Sequence, residues 1–427
     1  MNTFHLRTIR QRIVPLWCMV LSLPMMLNSH IARSDWPGLL GPNRDGHASS
    51  DASLPAKISG PPKIVWQVEA GQGFAGAAIA GQNVALFDRV GDKDRVRWVD
   101  AKSGKEVWRR ELKASYRGGI NPDAGPRCVP TITENAILLC AASGDVTLLA
   151  RADGAVLWSV SLRKQYSAED GYFGAGSTPL VIDDRVVVNV GGKAVSVVCL
   201  SLKDGKPIWT ASQGEASYAS PIVVRSGDSS TNAKPIVVVP TRLTTVGLDV
   251  ETGKELWKIP FGQRGPTVNA ATPIVLMDNK IFLTSSYGIG SITLRLTTSN
   301  ALIQSRDSKI ASQYATPIIA HNKIFGCDGR EDGGPAIYRC LNAEDESLLW
   351  EKQNMPICHT IGIGNQVLIC GIDGHLWNID AGASAFQPLW ESNLPEGIYR
   401  AVPAFSDNRL FTRSSEGRSV WYCFEFM

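Results

Sequence analysis

The sequence predicts an all-β chain, an eight-bladed β-propeller of four-stranded antiparallel blades. Three observations predict it. A turn followed by tryptophan recurs at a nearly constant interval. A small-residue and proline segment precedes each recurrence. The two ends of the chain carry complementary fragments of one blade.

The clearest turn is Leu248-Asp249-Val250-Glu251-Thr252-Gly253-Lys254-Glu255-Leu256-Trp257. Leu248 and Val250 favour a strand, and Asp249 and Thr252 can bond their own backbone in the turn. Gly253 tolerates the positive φ of a short hairpin loop. Leu256 and Trp257 open the next strand with a large apolar anchor. Residues 99–108 repeat the unit almost identically, and 153–158 and 204–209 follow it. Looser copies end at Trp350 and Trp390, and one puts Ile303 where tryptophan is expected. Lys63-Ile64-Val65-Trp66 is the last half of a unit with no first half.

The anchors are Trp66, Trp108, Trp158, Trp209, Trp257, Ile303, Trp350 and Trp390, spaced by 42, 50, 51, 48, 46, 47 and 40 residues. That period, with turn-and-Trp punctuation, marks a propeller blade. Seven of the twelve tryptophans occupy the anchor, so the pattern is not chance. The third unit shows four strands: 177–182, 185–190, 194–202 and one through Ile208 and Trp209. The last unit, 401–426, supplies only three. Pairing the N-terminal strand at 63–68 with this C-terminal blade closes the ring and removes two open edges. A seven-bladed ring with one degenerate unit is the alternative.

Residues 1–34 read as a secretory signal peptide: Arg7, Arg10 and Arg12, then an apolar stretch broken by Pro15 and Pro24. An uncleaved anchor is the alternative. A cleaved signal places the mature chain in the periplasm or outside the cell, with no stable membrane span. Residues 35–62 read as a looped lead-in and linker, and 63–427 as the propeller. The formal charge is +3, and four arginines of residues 1–34 account for more than that, leaving −1. A near-neutral chain with no basic block excludes a nucleic-acid partner. Eight cysteines follow Cys18. Cys128 with Cys140, Cys358 with Cys370, and Cys327 with Cys340 straddle turns and could pair in an oxidising compartment. The other possibility is packing alone, since position two before each aligned proline holds Cys128, Ser177, Ala219, Ala271, Ala315, Cys358 and Ala401, all small.

The Asp-x-x-Thr-Gly-Lys-Glu-Leu-Trp motif at 249–257, its copy at 100–108 and the Ala-Thr-Pro segments at 271–273 and 315–317 resemble the pyrroloquinoline-quinone-like (PQQ-like) repeat family. The resemblance covers roughly residues 60–427 and implies eight blades. The family includes quinoprotein alcohol dehydrogenases and a non-catalytic propeller lipoprotein of outer-membrane-protein assembly. Trp36-Pro37 through Gly46 looks like the lead-in of many secreted members. The repeat specifies the fold and leaves the activity to the loops.

Loops joining blades should share one face. Position three before each aligned proline should line the channel mouth there, with Arg127, Tyr218, Tyr314 and Arg400 able to grip an anionic or planar ligand. A solvated rim is the alternative. His359, at the start of an inner strand, is the one histidine placed for ligand contact or proton transfer. Asp123, Glu169 and Asp170 lie on long loops and are weak calcium candidates; exposed turns look the same. There is no haem-attachment motif, Gly-x-Ser-x-Gly, phosphate loop or dinucleotide fingerprint.

Two functions remain. One is an exported, monomeric, non-catalytic binding or scaffolding module for a protein or glycan, with no cofactor. The other is a PQQ-dependent dehydrogenase oxidising an alcohol or sugar, its quinone held in the channel on calcium. The first is preferred. The family's alcohol dehydrogenases are longer and carry adjacent cysteines over the quinone, and no two cysteines here are adjacent.

Overall fold

The computed structural model describes Met1 and residues 35–225, 234–415 and 418–427. The signal expected at 1–34, with Cys18, lies outside the described residues apart from Met1. Eight four-stranded antiparallel sheets form the blades. Blades 1 to 7 occupy residues 78–113, 131–161, 180–211, 222–260, 274–307, 318–355 and 358–393. In each, sequence order is spatial order, from innermost to outermost strand. Blade 8 takes Ala404–Ser406, Arg409–Ser414 and Val420–Glu425 from the C-terminus, and its outermost strand is Lys63–Glu69. Trp66 pairs with Cys423, Gln67 with Tyr422 and Val68 with Trp421. The closure expected from the half-units is therefore present. Among the described residues the one α-helix is a single turn, Leu162–Gln165, in the loop leaving blade 2.

Burial follows from the blade stack. Second and third strands are almost wholly buried, as in Ala136–Cys140 and Asp145–Ala150. Outermost strands alternate, with Val156–Ser161 burying Trp158 and exposing its neighbours.

Each tryptophan anchor faces the next blade. The φ of Gly104, Gly154, Gly205 and Gly253 is 69–71°, the value that favours glycine. A second constraint holds at the same residues. A Cβ on Gly205 would lie 2.8 Å from the ring of Trp158, and one on Gly253 2.5 Å from that of Trp209. The indole N–H of Trp66, Trp108, Trp158, Trp209 and Trp350 donates to a carbonyl of the following blade at 2.9–3.2 Å. The Trp390 indole instead reaches Pro55 O in the lead-in, at 2.9 Å.

Nearer the axis, hydroxyls link the innermost strands. The N–H of Val129 donates to Thr178 Oγ1, Thr178 to Ser220 Oγ, Ser220 to Thr272 Oγ1 and Thr272 to Thr316 Oγ1, at 2.9–3.4 Å. These residues all occupy the position before the aligned proline. The hydroxyls satisfy inner-strand donors that have no further strand to pair with.

At the seam the contacts are ionic. Asp88 of blade 1 is fully buried and accepts from Arg95 Nε and Nη2, both at 2.9 Å, and from Arg97 Nη2 at 3.1 Å. It also accepts the Gly71 N–H at 3.0 Å and faces the indole N–H of Trp421, of blade 8, at 3.4 Å. Burial opposes its ionisation, but the Arg95 hydrogen bonds and the charges of Arg97 and Arg95 outweigh burial and hold the carboxyl below its ordinary range. Arg413 of blade 8 donates to Gly71 O at 2.5 Å and stacks on Trp421 at 4.9 Å.

Two substitutions test these joints by denaturant unfolding. Gly205→Ala meets both a left-handed φ and the Trp158 ring, and should cost about 3 kcal/mol. Asp88→Ala strands buried guanidinium groups at the seam and should cost about 3–5 kcal/mol. A loss below about 1 kcal/mol for either would show that the contact does not hold the ring.

Candidate functional site

The strand order places the inter-blade loops, and the turns between second and third strands, on one face. The Asp-x-x-Thr-Gly turns lie on the other. The lead-in occupies the axis between them. Trp36 exchanges backbone hydrogen bonds with Ile79 of blade 1 at 3.0 and 2.8 Å. Pro37 O accepts from Ile132 of blade 2 at 2.7 Å. Arg44 donates to Thr178 O at 2.6 Å and Pro179 O at 3.1 Å, entering blade 3. His47 Nε2 donates to Ile319 O of blade 6 at 2.7 Å, and Gly46 and Ala48 bond Gly362 of blade 7. A dozen residues thus touch the inner strands of five blades, on opposite sides of the ring. Gly46 has φ 82°, and a Cβ there would lie 2.5 Å from Ile318 Cγ2, so the fit is close.

This bears on the quinone. A planar cofactor on a calcium ion needs an open channel and gathered oxygen ligands. The chain's own backbone crosses the channel. Asp123 accepts from Gly73 N–H at 2.8 Å, Gly125 N–H at 2.9 Å and Arg127 at 3.1 Å. Asp170 pairs with Arg163 at 3.2 Å, and Glu169 with Lys193 at 3.9 Å. The three acids have three different partners, and no group of three acid, His or Cys side chains able to hold a metal exists among the described residues. These residues do not fit a calcium-bound quinone.

The five expected rim residues fall into three groups. Arg127 is neutralised by Asp123 and lies 5.2 Å from the Phe74 ring. Tyr218 accepts the N–H groups of Tyr172 and Phe173 at 3.0 Å, clamping the loop that leaves blade 2. Burial raises its phenol pKa. Tyr314, His359 and Arg400 meet around Glu331. The Tyr314 hydroxyl donates to Glu331 at 3.2 Å, Arg400 Nε donates to it at 2.6 Å, and the Tyr314 and His359 rings are 5.8 Å apart. His359 is buried, and its Nε2 donates to Arg400 O at 3.0 Å. Both arginines thus face carboxylates of this chain, which weakens their pull on an external anion.

A cleft of about 840 Å³ that no sequence motif marks opens on the loop face of blades 3 to 5. Its walls are the loops 163–174, 213–218 and 264–269 and the turns at 191–193 and 241–244. Asn269 braces it. Its O accepts from the N–H of Tyr218 and Ala219 at 2.8 Å, and its side-chain amide donates to Arg242 O at 3.0 Å. Arg242 pairs with Glu215, donates to Gly265 O at 2.7 Å and stacks on Tyr172 at 5.5 Å. Five bases (Arg163, Lys193, Arg242, Lys258 and Arg264) face three acids (Glu169, Asp170 and Glu215). Arg264 has no ion pair or side-chain hydrogen bond among the described residues, so it adds free positive charge. The signal was in the sequence: Gly262 and Gly265 flank Gln263 and Arg264, and both take positive φ.

Fold and repeat together define an eight-bladed propeller of the PQQ-like superfamily. A family model described as outer membrane protein assembly factor BamB matches residues 92–337, over half of the chain, and the chain belongs to that family. The BamB of Xanthomonas campestris pv. campestris is 22% identical over 222 residues, 43% of this chain and 54% of the relative. The chain therefore spans about half the length of that relative. The crystal structure of BamB from Moraxella catarrhalis covers 85% of this chain and 97% of its own, with TM-score 0.61 and 18% identity. Quinohemoprotein alcohol dehydrogenase from Comamonas testosteroni covers 93% of this chain and 81% of its own, with TM-score 0.68 and 13% identity. At such identities the two structures share the fold alone.

His359 makes a pH-dependent prediction. Burial pushes its pKa down from 6.5 to about 4, against the smaller opposing effect of its bond to Arg400 O. Between those values the unfolded chain binds a proton that the folded chain does not. Stability should therefore fall as pH drops from 6.5 to 4, by about 3 kcal/mol in all. His359→Gln should flatten this part of the profile in urea unfolding at pH 7, 5.5 and 4.5. An unchanged slope would place the titrating group elsewhere.

Proposed function

We propose that this chain is a non-catalytic binding propeller of the cell envelope, acting in outer-membrane protein assembly by holding a protein partner on the loop face of blades 3 to 5. The cleft with excess positive charge carries this reading. It is built from braced loops on a rigid ring, which limits the ordering cost of docking. Its excess of bases over acids, with Arg264 unpaired among the described residues, suits an acidic or extended segment of a partner, steered there by charge. Membership of the BamB family supports the assembly role and an exported, periplasmic location. Among the described residues no helix is long and apolar enough to cross a membrane.

The dehydrogenase reading draws on the fold shared with quinoproteins. It has less support here, because the lead-in crosses the channel and the candidate acids are dispersed. A cofactor is not part of the proposed function.

A photo-crosslinking residue at Arg264 or Lys193 should trap an envelope protein in intact cells. The same residue at Lys203 or Lys254, on the opposite face, should not. Arg264→Glu with Lys258→Glu should lower the crosslink yield at Lys193 by about tenfold while leaving the thermal unfolding midpoint unchanged. Equal trapping from both faces would move the site. Alcohol-dependent dye reduction by protein reconstituted with quinone and calcium would replace the proposal with the dehydrogenase.

A further inference from the structure

Eight cysteines lie among the described residues, all buried and all with free thiols. Cys140, Cys327 and Cys370 occupy the same place in their blades, at or near the end of the second strand. Cys358 opens the innermost strand of blade 7. Sequence spacing pairs it with Cys370 of its own blade. The structure gives it a closer partner in blade 6. Cys358 Sγ donates to Pro356 O at 3.1 Å, and Cys327 Sγ lies 3.8 Å from that same oxygen. Cys370 instead stands opposite His359 in the sheet register, so its side chain lies on the other face of the sheet from Cys358.

The other close pair differs. Cys128 and Cys140 pack in one core cluster, but their sulfurs turn to separate carbonyls, Ala175 O at 3.9 Å and Ala141 O at 3.8 Å. They sit in one blade, already joined by its sheet. Cys327 and Cys358 sit in two blades, and a bond between them would cross a boundary that is otherwise held without covalent links.

We propose that Cys327 and Cys358 form a disulfide that staples blade 6 to blade 7 when the chain folds in oxidising surroundings. The oxidant is an organic disulfide, either a small molecule or a dithiol oxidase. One cysteine thiolate attacks it, forms a mixed disulfide and releases one thiol. The second thiolate then displaces the other thiol and completes the S–S bond. Two S–H bonds are lost, two electrons pass to the external disulfide, and it leaves as two thiols. Both sulfurs are buried in the closed ring, so the exchange belongs to the folding chain, before blades 6 and 7 meet. The product would lie next to His359, fixing the strand whose His359 packs against Tyr314 and bonds Arg400 O.

The test uses the full chain, unfolded and refolded either in reduced and oxidised glutathione or in reductant alone. Each sample is acid-quenched, alkylated in denaturant and weighed by mass spectrometry. The oxidised sample should carry at least two fewer alkyl groups, and its digest should contain a peptide linking Cys327 to Cys358. Cys358→Ala and Cys327→Ala should each abolish that peptide, and Cys128→Ala and Cys370→Ala should keep it. Alanine already stands at the position of Cys358 in four blades (Ala219, Ala271, Ala315 and Ala401), so Cys358→Ala is the variant expected to fold. The oxidised wild type should also unfold at higher denaturant than oxidised Cys358→Ala. Complete alkylation of the oxidised wild type, or a link found only between Cys128 and Cys140 or between Cys358 and Cys370, would overturn the proposal. The mapping of the wild type decides even if a variant fails to fold.

Discussion

Half of the ring, from blade 8 through blade 4, depends on one contact repeated from blade to blade: an indole lying on the glycine of the next blade's turn. The contact uses two properties that only these residues combine. Glycine alone accepts both the left-handed φ and the ring at under 3 Å from where a Cβ would stand. Tryptophan alone offers a flat apolar surface wide enough to bridge two wedges, with one N–H to aim at a carbonyl. The hydroxyl series nearer the axis acts as a second, inner ring of links. Between blades 2 and 3 and between blades 3 and 4 both links are present, and holding a joint at two radii sets the angle between neighbours as well as their distance.

The contact is absent from the turns of blades 5 to 7 and from blade 8, and blades 5 and 6 show what it supplies. The turn of blade 5, Thr297 to Asn300, has no glycine, and the Trp257 indole N–H is buried without a hydrogen-bond partner among the described residues. Blade 5 then offers Ile303, which is 46% exposed, in place of a tryptophan. The turn of blade 6 replaces glycine with Glu346, held at φ 59°. Polar contacts substitute there: Ser305 Oγ donates to the Glu346 carboxylate at 2.6 Å, and Lys309 Nζ to its carbonyl at 2.8 Å. Loss of the tryptophan and of the glycine occurs on facing blades, as expected if the two residues serve one joint.

Local chemistry made the architecture legible. A turn glycine, a tryptophan four residues on and an inner-strand proline are short-range signals, and their spacing counts blades. The half-unit at Lys63 to Val68 was readable for the same reason, since an unpaired outermost strand needs a sheet. What required the closed ring was not readable. Trp158 and Gly205 are in adjacent blades, and nothing near either residue names the other. Counting back from the prolines located Arg127 and Arg400, but their carboxylate partners follow from loop shape. Glu331 is in a turn 69 positions before Arg400, and only the circle brings them together. The cleft was missed because it has no motif: five segments between residues 163 and 269 contribute a few side chains each.

The lead-in connects the architecture to function. A propeller with an open axis can use either its channel or its rim. Here the segment from Trp36 to Ala48 bonds to opposite inner strands, so the small inner residues that keep blades close also receive the chain's own backbone. Chemistry at the axis would have to displace several backbone hydrogen bonds and the guanidinium of Arg44, each costly to leave unpaired in a confined site. The rim has no such obligation. Its loops are already braced by Asn269 and Tyr218, and Arg264 has no partner among the described residues. The same ring therefore disfavours catalysis at its centre and presents a preorganised charged surface at its edge, which is the physical basis for reading the chain as a binding module.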